Sequence, residues 1–561
     1  MNEFLRRIAL QPRLRLELLL SSLLINLLGL ASSLYSIHVL NRYLALGVDA
    51  TLLTLTLGAL LAVGFEVLLR NARLRVAQWL CARADAELGE TLFESSARGQ
   101  YALVEQLPHS ARREILSGQG TVQQCFGAPN LVTLLDTPFA FVFVVVLGML
   151  SPFLAGMTLL VMAGVALVSL LAQRRLREPM EAQSRIAIQM AGYQHNLTAG
   201  GEMVRAFSAA DALKEKWRAC ADDQAEQRAQ LNRLQNTMQN ASYAGTLILG
   251  MVIMGLGARQ VLAGNLDVGS LIGCNILASR ALAALTRALG LGEQIGRGQR
   301  ALDLVRQLCA IPRERAEGVR LGQMQGALRF EDMAFSYPKQ AVPVLEHFDY
   351  QLEAGKVLAF TGANGSGKTT MARLLVGLLE PLRGHLLVDG MDLRQADPQW
   401  WRRQVAYLPQ EPQFFDGTLR ENLCVLAPET PDARVLELCR ELAVGAFVEG
   451  GAEGLGLALR NGGANIPLGI RRRLALVRAV LGEGRLVVLD DPTEGVDAEG
   501  CKAIAALLSR LVREGRTLVV MSNEPFILGA AGVVIDLNQK PVPRVLREPA
   551  REPARAGASH V

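Results

Sequence analysis

Six apolar stretches, at roughly 16–40, 51–69, 131–150, 153–172, 243–263 and 268–290, constrain this 561-residue chain more than any other feature. Each supplies the ~20 residues that a helix needs to cross ~30 Å of hydrocarbon. The alternative, six core helices of a soluble protein, requires a polar face for solvent. Leu52–Leu69 and Phe139–Ala172 have no such stripe. Composition agrees, with 50% hydrophobic and only 20% charged residues and a positive mean hydropathy. The first stretch does not read as a cleavable signal: it is long, lacks a small-residue cleavage site and is followed by further spans.

Arginine placement predicts the orientation. Arg6, Arg7, Arg13 and Arg15 precede the first span. Arg70, Arg73, Arg75 and Arg83 follow the second, and Arg174, Arg175 and Arg177 follow the fourth. The connections near 41–50, 151–152 and 264–267 are short and nearly free of basic residues. Both termini are therefore expected in the cytoplasm. Two polar insertions, about 70–130 and 173–242, are rich in Ala, Arg, Glu, Gln and Leu, and they read as helical hairpins. Their turns are expected at Leu107-Pro108-His109-Ser110 and Thr198-Ala199-Gly200-Gly201. About 28 residues per leg at 1.5 Å rise reach ~40 Å below the bilayer. Glu66, Asp136, Arg280 and Arg287 lie in or near spans, where ionisable groups are costly and often functional. Pairing between helices, or snorkelling from a cytosolic end, is the expectation for them.

The second half carries a different signal. Thr361-Gly362-Ala363-Asn364-Gly365-Ser366-Gly367-Lys368-Thr369-Thr370 matches G-x-x-x-x-G-K-[ST], a loop that wraps nucleotide phosphates. It follows the apolar run Val357–Phe360 and leads into Met371–Leu375, so strand–loop–helix is the expected context. There the glycines let backbone N–H groups close on phosphate, and the helix N-terminus adds a favourable field. Lys368 would reach the β- and γ-phosphates, and the Thr369 hydroxyl would hold Mg²⁺. An ordinary glycine-rich turn fits these flanks poorly, so ATP binding is predicted. Eight cysteines are scattered without C-x-x-C spacing or paired histidines, which points to reduced buried thiols. The net charge of +5 gives no argument for nucleic acid.

Further motifs occupy 328–540 in a fixed order. They are Tyr337 in Phe335-Ser336-Tyr337-Pro338, Gln410 in Tyr407-Leu408-Pro409-Gln410, the segment Phe414–Leu423, and Leu486-Val487-Val488-Leu489-Asp490, an apolar strand ending in an acid. Together they resemble an ABC nucleotide-binding domain. The resemblance implies that Tyr337 stacks on adenine, that Gln410 senses Mg²⁺ and γ-phosphate, and that Asp490 orients the metal. Four departures matter. Asp491 stands where the family has the glutamate that polarises water. Asn523 replaces a histidine that contacts γ-phosphate. Ile466-Pro467-Leu468-Gly469-Ile470 aligns with the LSGGQ signature, so Pro467 lacks the hydroxyl and Leu468 fills a glycine position. The loop after the acid-tipped strand reads Glu494-Gly495-Val496-Asp497, altered but with Asp497 kept. A positioned general base contributes ~10²–10⁴ in rate, part of which a shortened carboxylate forfeits by misplacement. ATP binding with slow turnover is expected, with Asp491, Gln410 and Asn523 as the catalytic candidates. A fully active pump is the rival.

Six spans fused ahead of one such domain resemble a half-size ABC exporter, and more narrowly a type I secretion permease/ATPase. Asn26–Ala31, Val39–Tyr43, Asp136-Thr137-Pro138-Phe139, Gly201–Ala206, Lys216-Trp217 and Ile276–Leu282 carry that likeness. It implies an inner-membrane homodimer, or a heterodimer with an intact half. A periplasmic adaptor, an outer-membrane channel and a secreted polypeptide are the partners it implies. Some relatives carry a peptidase-like domain before the first span; with only about 15 residues there in this sequence, leader-peptide cleavage by this chain is not expected. A regulatory half without transport of its own, and a small-molecule or lipid exporter, remain open. The expected organisation is a six-span α-helical domain (1–305), a linker (306–326), an α/β P-loop domain (327–540) and a disordered tail (541–561). The tail repeats Arg-Glu-Pro-Ala without an apolar stripe.

Overall fold

The computed structural model describes residues 2–9, 11–43, 49–338 and 342–548. Two compact units emerge, Met1–Gly99 with Leu103–Pro312, and Gln100–Ala102 with Arg313–Val561.

Six helical segments in the first unit are long and apolar enough to cross a membrane: Pro12–Tyr43, Asp49–Arg98, Ala111–Leu150, Pro152–Thr198, Ala210–Leu262 and Val268–Cys309. They contain the six predicted stretches, except that the fifth ends at Leu262, one residue short of the expected 263. Three of the four insertion legs continue their spanning helices without a break, as in Asp49–Arg98 with 50 residues and Ala210–Leu262 with 53, whereas the ascending leg His109–Cys125 is separated from Phe139–Leu150 by interruptions at 126–127 and 137–138. At 1.5 Å per residue these are ~75–80 Å rods. The second turn falls where predicted, with Gly200 closing Pro152–Ala199. The first turn begins earlier, at Gly99, and a short helix Tyr101–Val104 precedes the expected turn residues. Close helix crossings rely on small residues. A side chain at Gly245 would collide with Val165, and one at Gly257 with Leu271.

Charged residues in this unit find partners both far away in sequence and one helical turn along. Arg73 is 3% exposed and pairs with both oxygens of Asp136, at 2.6 and 3.0 Å. Ser22 accepts from Arg73 at 3.0 Å, and Asn26 donates to Asp136 at 3.1 Å. Glu66 pairs with Arg70 one turn on. Arg280 donates to the Ser32 hydroxyl and Arg287 to the Ala283 carbonyl. Arg7, read above only as an orientation signal, is fully buried in the helix Asn2–Ala9. It donates to the Phe126 carbonyl at 3.0 Å and to Asp85 at 2.6 Å.

The second unit is built on three sheets. One is antiparallel, in the order β2 (Leu345–Leu352), β1 (Leu328–Phe335), β4 (Arg383–Val388), β5 (Met391–Asp392). The central one runs β12 (Arg544–Arg547), β11 (Val533–Asp536), β3 (Val357–Thr361), β10 (Thr517–Met521), β9 (Leu486–Asp490), β6 (Val405–Leu408). Its strands are parallel except for β12. A two-stranded ribbon joins β7 (Gly417–Thr418) to β8 (Ala458–Leu459). Every residue of β9 and β10 is buried, which matches their unbroken Val/Leu runs and the covered faces of a parallel sheet.

Two expected boundaries differ. The helix Val268–Cys309 runs into the predicted linker, and the rest of that segment is held down in the second unit. Glu314 pairs with Arg402 at 2.7 Å, Arg320 with Asp397 at 2.6 Å, and Val319 bridges to Ala396. The predicted tail opens with a strand, β12, because β11 offers it a free edge. Residues 549–561 of the tail lie outside the described residues.

Candidate functional site

The predicted site residues converge because they occupy equivalent places on neighbouring strands. Gln410 lies two residues beyond β6, Asp490 ends β9 with Asp491 next, and Asn523 lies two beyond β10. Gly362 directly follows β3. In the parallel register Met521 stands beside both Phe360 and Asp490, and Leu408 beside Leu489. All four strands therefore end on one edge, the usual ligand edge of such sheets.

A cavity of about 520 Å³ opens there. Tyr337, Ala363, Asn364, Gly365, Gly367, Lys368, Thr369, Thr370, Gln410 and Asp491 line it, together with Val344 and Lys540, which the sequence did not single out. Three of the loop's glycines hold a positive φ, Gly362 at +154° among them. Gly365 has φ +81°, and Gly367, at +115°, caps the helix Lys368–Leu375 where a Cβ would sit 2.5 Å from Val344. Lys368 is 6% exposed and donates to the Gly362 carbonyl at 2.7 Å. The Thr369 hydroxyl donates to Gln410 Oε1 at 3.2 Å, and the Tyr337 hydroxyl lies 3.1 Å from that of Thr370.

Gly362, Ser366, Asp490 and Asn523 stand outside the cavity lining. Asp490 is fully buried, with neither carboxylate oxygen hydrogen-bonded among the described residues. Burial is the main reason its pKa rises to about 6. The nearby Thr369 hydroxyl and Lys368 ammonium oppose that rise, and Asp491 adds to it. An orphaned buried carboxylate costs several kcal/mol unless something pairs with it. Together with the Thr369 hydroxyl and Gln410 Oε1 it forms an all-oxygen donor set, which fits Mg²⁺. Asp491 is also shifted upward by burial, against the pull of Lys368. It adopts φ +46°, a left-handed conformation that Asp tolerates better than most residues.

Asn523 is engaged elsewhere than expected. Its Oδ1 accepts from the Thr361 hydroxyl at 2.9 Å and the Gly362 N–H at 3.0 Å, while its Nδ2 donates to the Gly362 carbonyl at 2.9 Å. Three of its four hydrogen-bonding sites are thus bound to the base of the loop. In the altered signature, Pro467 caps the helix Leu468–Leu481, and the Leu468 side chain stands 45% exposed. Behind it Arg472, 2% exposed, donates to the Gln410 carbonyl at 2.6 Å and pairs with Glu494 at 3.1 Å. Its role in holding the glutamine segment was not visible from the sequence.

A family model described as ABC transporter matches residues 345–494. The chain carries an ABC transporter ATPase domain. The whole chain is similar to the leukotoxin translocation ATP-binding protein LktB of Mannheimia haemolytica, at 25% identity over 526 residues, covering 91% of this chain and 72% of that protein. The LktB proteins of Mannheimia glucosida and Bibersteinia trehalosi give the same figures. A bacterial Atm1-family ABC exporter with ATP bound shares the fold, with a TM-score of 0.83, 19% identity and 95% of each chain covered. Six helices long and apolar enough to span a membrane, followed by an ATPase domain, give the chain the organisation of a half-size ABC exporter.

The Asp490 carboxylate gives a pH prediction for the nucleotide-free protein. Its folded pKa, about 6, lies above the ordinary 3.8, so the folded state holds the proton more tightly between those values. Stability should therefore fall as pH rises from about 4 through about 6, by up to about 3 kcal/mol. Asp490→Asn should raise the unfolding midpoint at pH 7 without nucleotide and reduce the extra stabilisation that MgATP brings. Thermal unfolding at pH 5 and pH 7 checks both. A midpoint that Asp490→Asn leaves unchanged at pH 7 contradicts the assignment.

Proposed function

We propose that this exporter half binds MgATP in the cavity, turns it over slowly, and couples binding to polypeptide export across the bacterial inner membrane. The observation that carries the reading is the convergence of Lys368, Thr369, Gln410 and Asp491 on one cavity, with the unpaired Asp490 beside it. Lys368 and the N–H groups of 367–369 bind the phosphates, and Tyr337 packs on the base. Mg²⁺, held by Thr369, Gln410 and Asp490, would neutralise phosphate charge. Asp491 is the group placed to accept a proton from attacking water, and its short side chain sits back from the glutamate position. Asn523, tied to Gly362, shapes the loop instead of reaching for phosphate.

Two copies, or this chain with an intact half, enclose each nucleotide between a phosphate loop and a signature segment. The long hairpins pass that closure to the spans, with both termini cytoplasmic. The likeness to LktB supports polypeptide cargo, an adaptor and an outer-membrane channel as partners. The exposed Leu468 and the engaged Asn523 favour one second reading, a hydrolysis-poor half that regulates a competent partner.

Phosphate release from purified protein in lipid tests the slow turnover. Asp491→Glu, Asn523→His, Pro467→Ser and Leu468→Gly combined should raise it at least tenfold. Ordinary family-level turnover in the unaltered chain would refute the slow-site reading. A crosslink between the stalled exporter and a secreted polypeptide tests the cargo, and its absence while lipid or a small solute is transported would replace it.

A further inference from the structure

The chain beyond β11 is fastened across the phosphate loop. Leu537 donates its N–H to the Thr361 carbonyl at 2.9 Å, and Asp536 turns the chain by accepting the Asn538 N–H at 2.9 Å. Asn538 Oδ1 then accepts the Ala363 N–H at 2.7 Å, and Lys540 Nζ donates to the Gly365 carbonyl at 3.2 Å. The Pro541 carbonyl receives the Glu346 N–H at 2.7 Å. Residues 537–541 are thus tied to β3, the loop and β2 in turn, and the Lys540 backbone is fixed on both sides.

Lys540 and Lys368 are the two cations among the described residues lining the cavity. An ammonium has three donors, and Lys540 spends one of them on a hydrogen bond at the long end of the range. Only its flexible four-carbon stem must be ordered for the rest to reach a ligand, since the backbone is already placed. The carbonyl it touches belongs to Gly365, in the middle of the loop that would hold the phosphates. The geometry points to Lys540 as a second cation for the phosphate chain of the bound nucleotide, beside Lys368.

This deepens the ATP-binding reading and depends on it. The test is competition against a fluorescent ATP analogue by the full-length protein in detergent, with Lys540→Ala, Lys540→Glu and Lys540→Arg. For ATP the dissociation constant should rise about tenfold in Lys540→Ala and further in Lys540→Glu, and stay near the original in Lys540→Arg. Competition by adenosine, which lacks phosphates, should be the same throughout. Asn538→Ala, which loosens the strap but keeps the charge, should weaken ATP less than Lys540→Ala. An ATP constant within twofold of the original in Lys540→Ala overturns the inference, as does equal weakening for ATP and adenosine. No ATP binding by the unaltered chain would instead overturn the underlying reading.

Discussion

Lys368→Ala is expected to raise the dissociation constant for MgATP by about 10²–10⁴-fold. Hydrogen bonds to charged groups contribute about 1.5–3 kcal/mol each, and the ammonium would make two to the β- and γ-phosphates. The substitution also removes the 2.7 Å bond to the Gly362 carbonyl, but Asn523 still holds that residue through both of its backbone groups. The empty loop should therefore keep its shape, and the nucleotide-free unfolding midpoint should move little. Equilibrium titration with a fluorescent ATP analogue, read beside thermal unfolding of the same preparation, separates the two effects. Unchanged affinity would remove Lys368 from the site and with it the reading of the cavity as a triphosphate cradle.

The second large effect belongs to the membrane unit. Among the described residues, Asp136→Ala would leave the Arg73 guanidinium, 3% exposed, with only the Ser22 hydroxyl. Removing one partner of a buried ion pair costs about 3–5 kcal/mol, because the remaining charge is neither solvated nor paired. The detergent-solubilised protein should lose its monodisperse chromatographic peak at a temperature well below that of the original. Replacing both partners with apolar residues, Arg73→Met with Asp136→Leu, should recover most of the loss, since no charge is then stranded. If Asp136→Ala alone is as stable as the original, the pair contributes nothing and the spans are held by packing.

The parts of this protein that the sequence announces are those whose physics is local. A span needs only a run of apolar residues, and a phosphate loop needs glycines at fixed offsets before a lysine and a threonine. Both were legible, as was the strand Leu486–Asp490, whose burial shows in its own composition. Gln410, Asp490 and Asn523 are more than a hundred residues apart at their extremes, and only the motif order suggested that they meet. What brings them together is the parallel register of β6, β9, β10 and β3.

Other features left no local trace. Arg7 read as an orientation charge, yet its value lies in Phe126 and Asp85, 119 and 78 residues away. Asn523 was expected to offer its amide to phosphate, and the approach of β3 takes that amide for Gly362. The segment expected as a linker shows no anchor in its composition, yet its Glu314 and Arg320 pair with Arg402 and Asp397.

By itself the sequence determined that there would be six helices long and apolar enough to cross a membrane, a glycine-rich phosphate-loop motif and an acid-tipped buried strand, because periodicity and hydropathy act over neighbouring residues. The tertiary structure alone decided which charges are paired, which amide serves the loop, and that a lysine beyond β11 stands at the cavity. Hydrogen bonds and ion pairs act over about 3 Å, and the fold, not the chain order, sets which groups come that near.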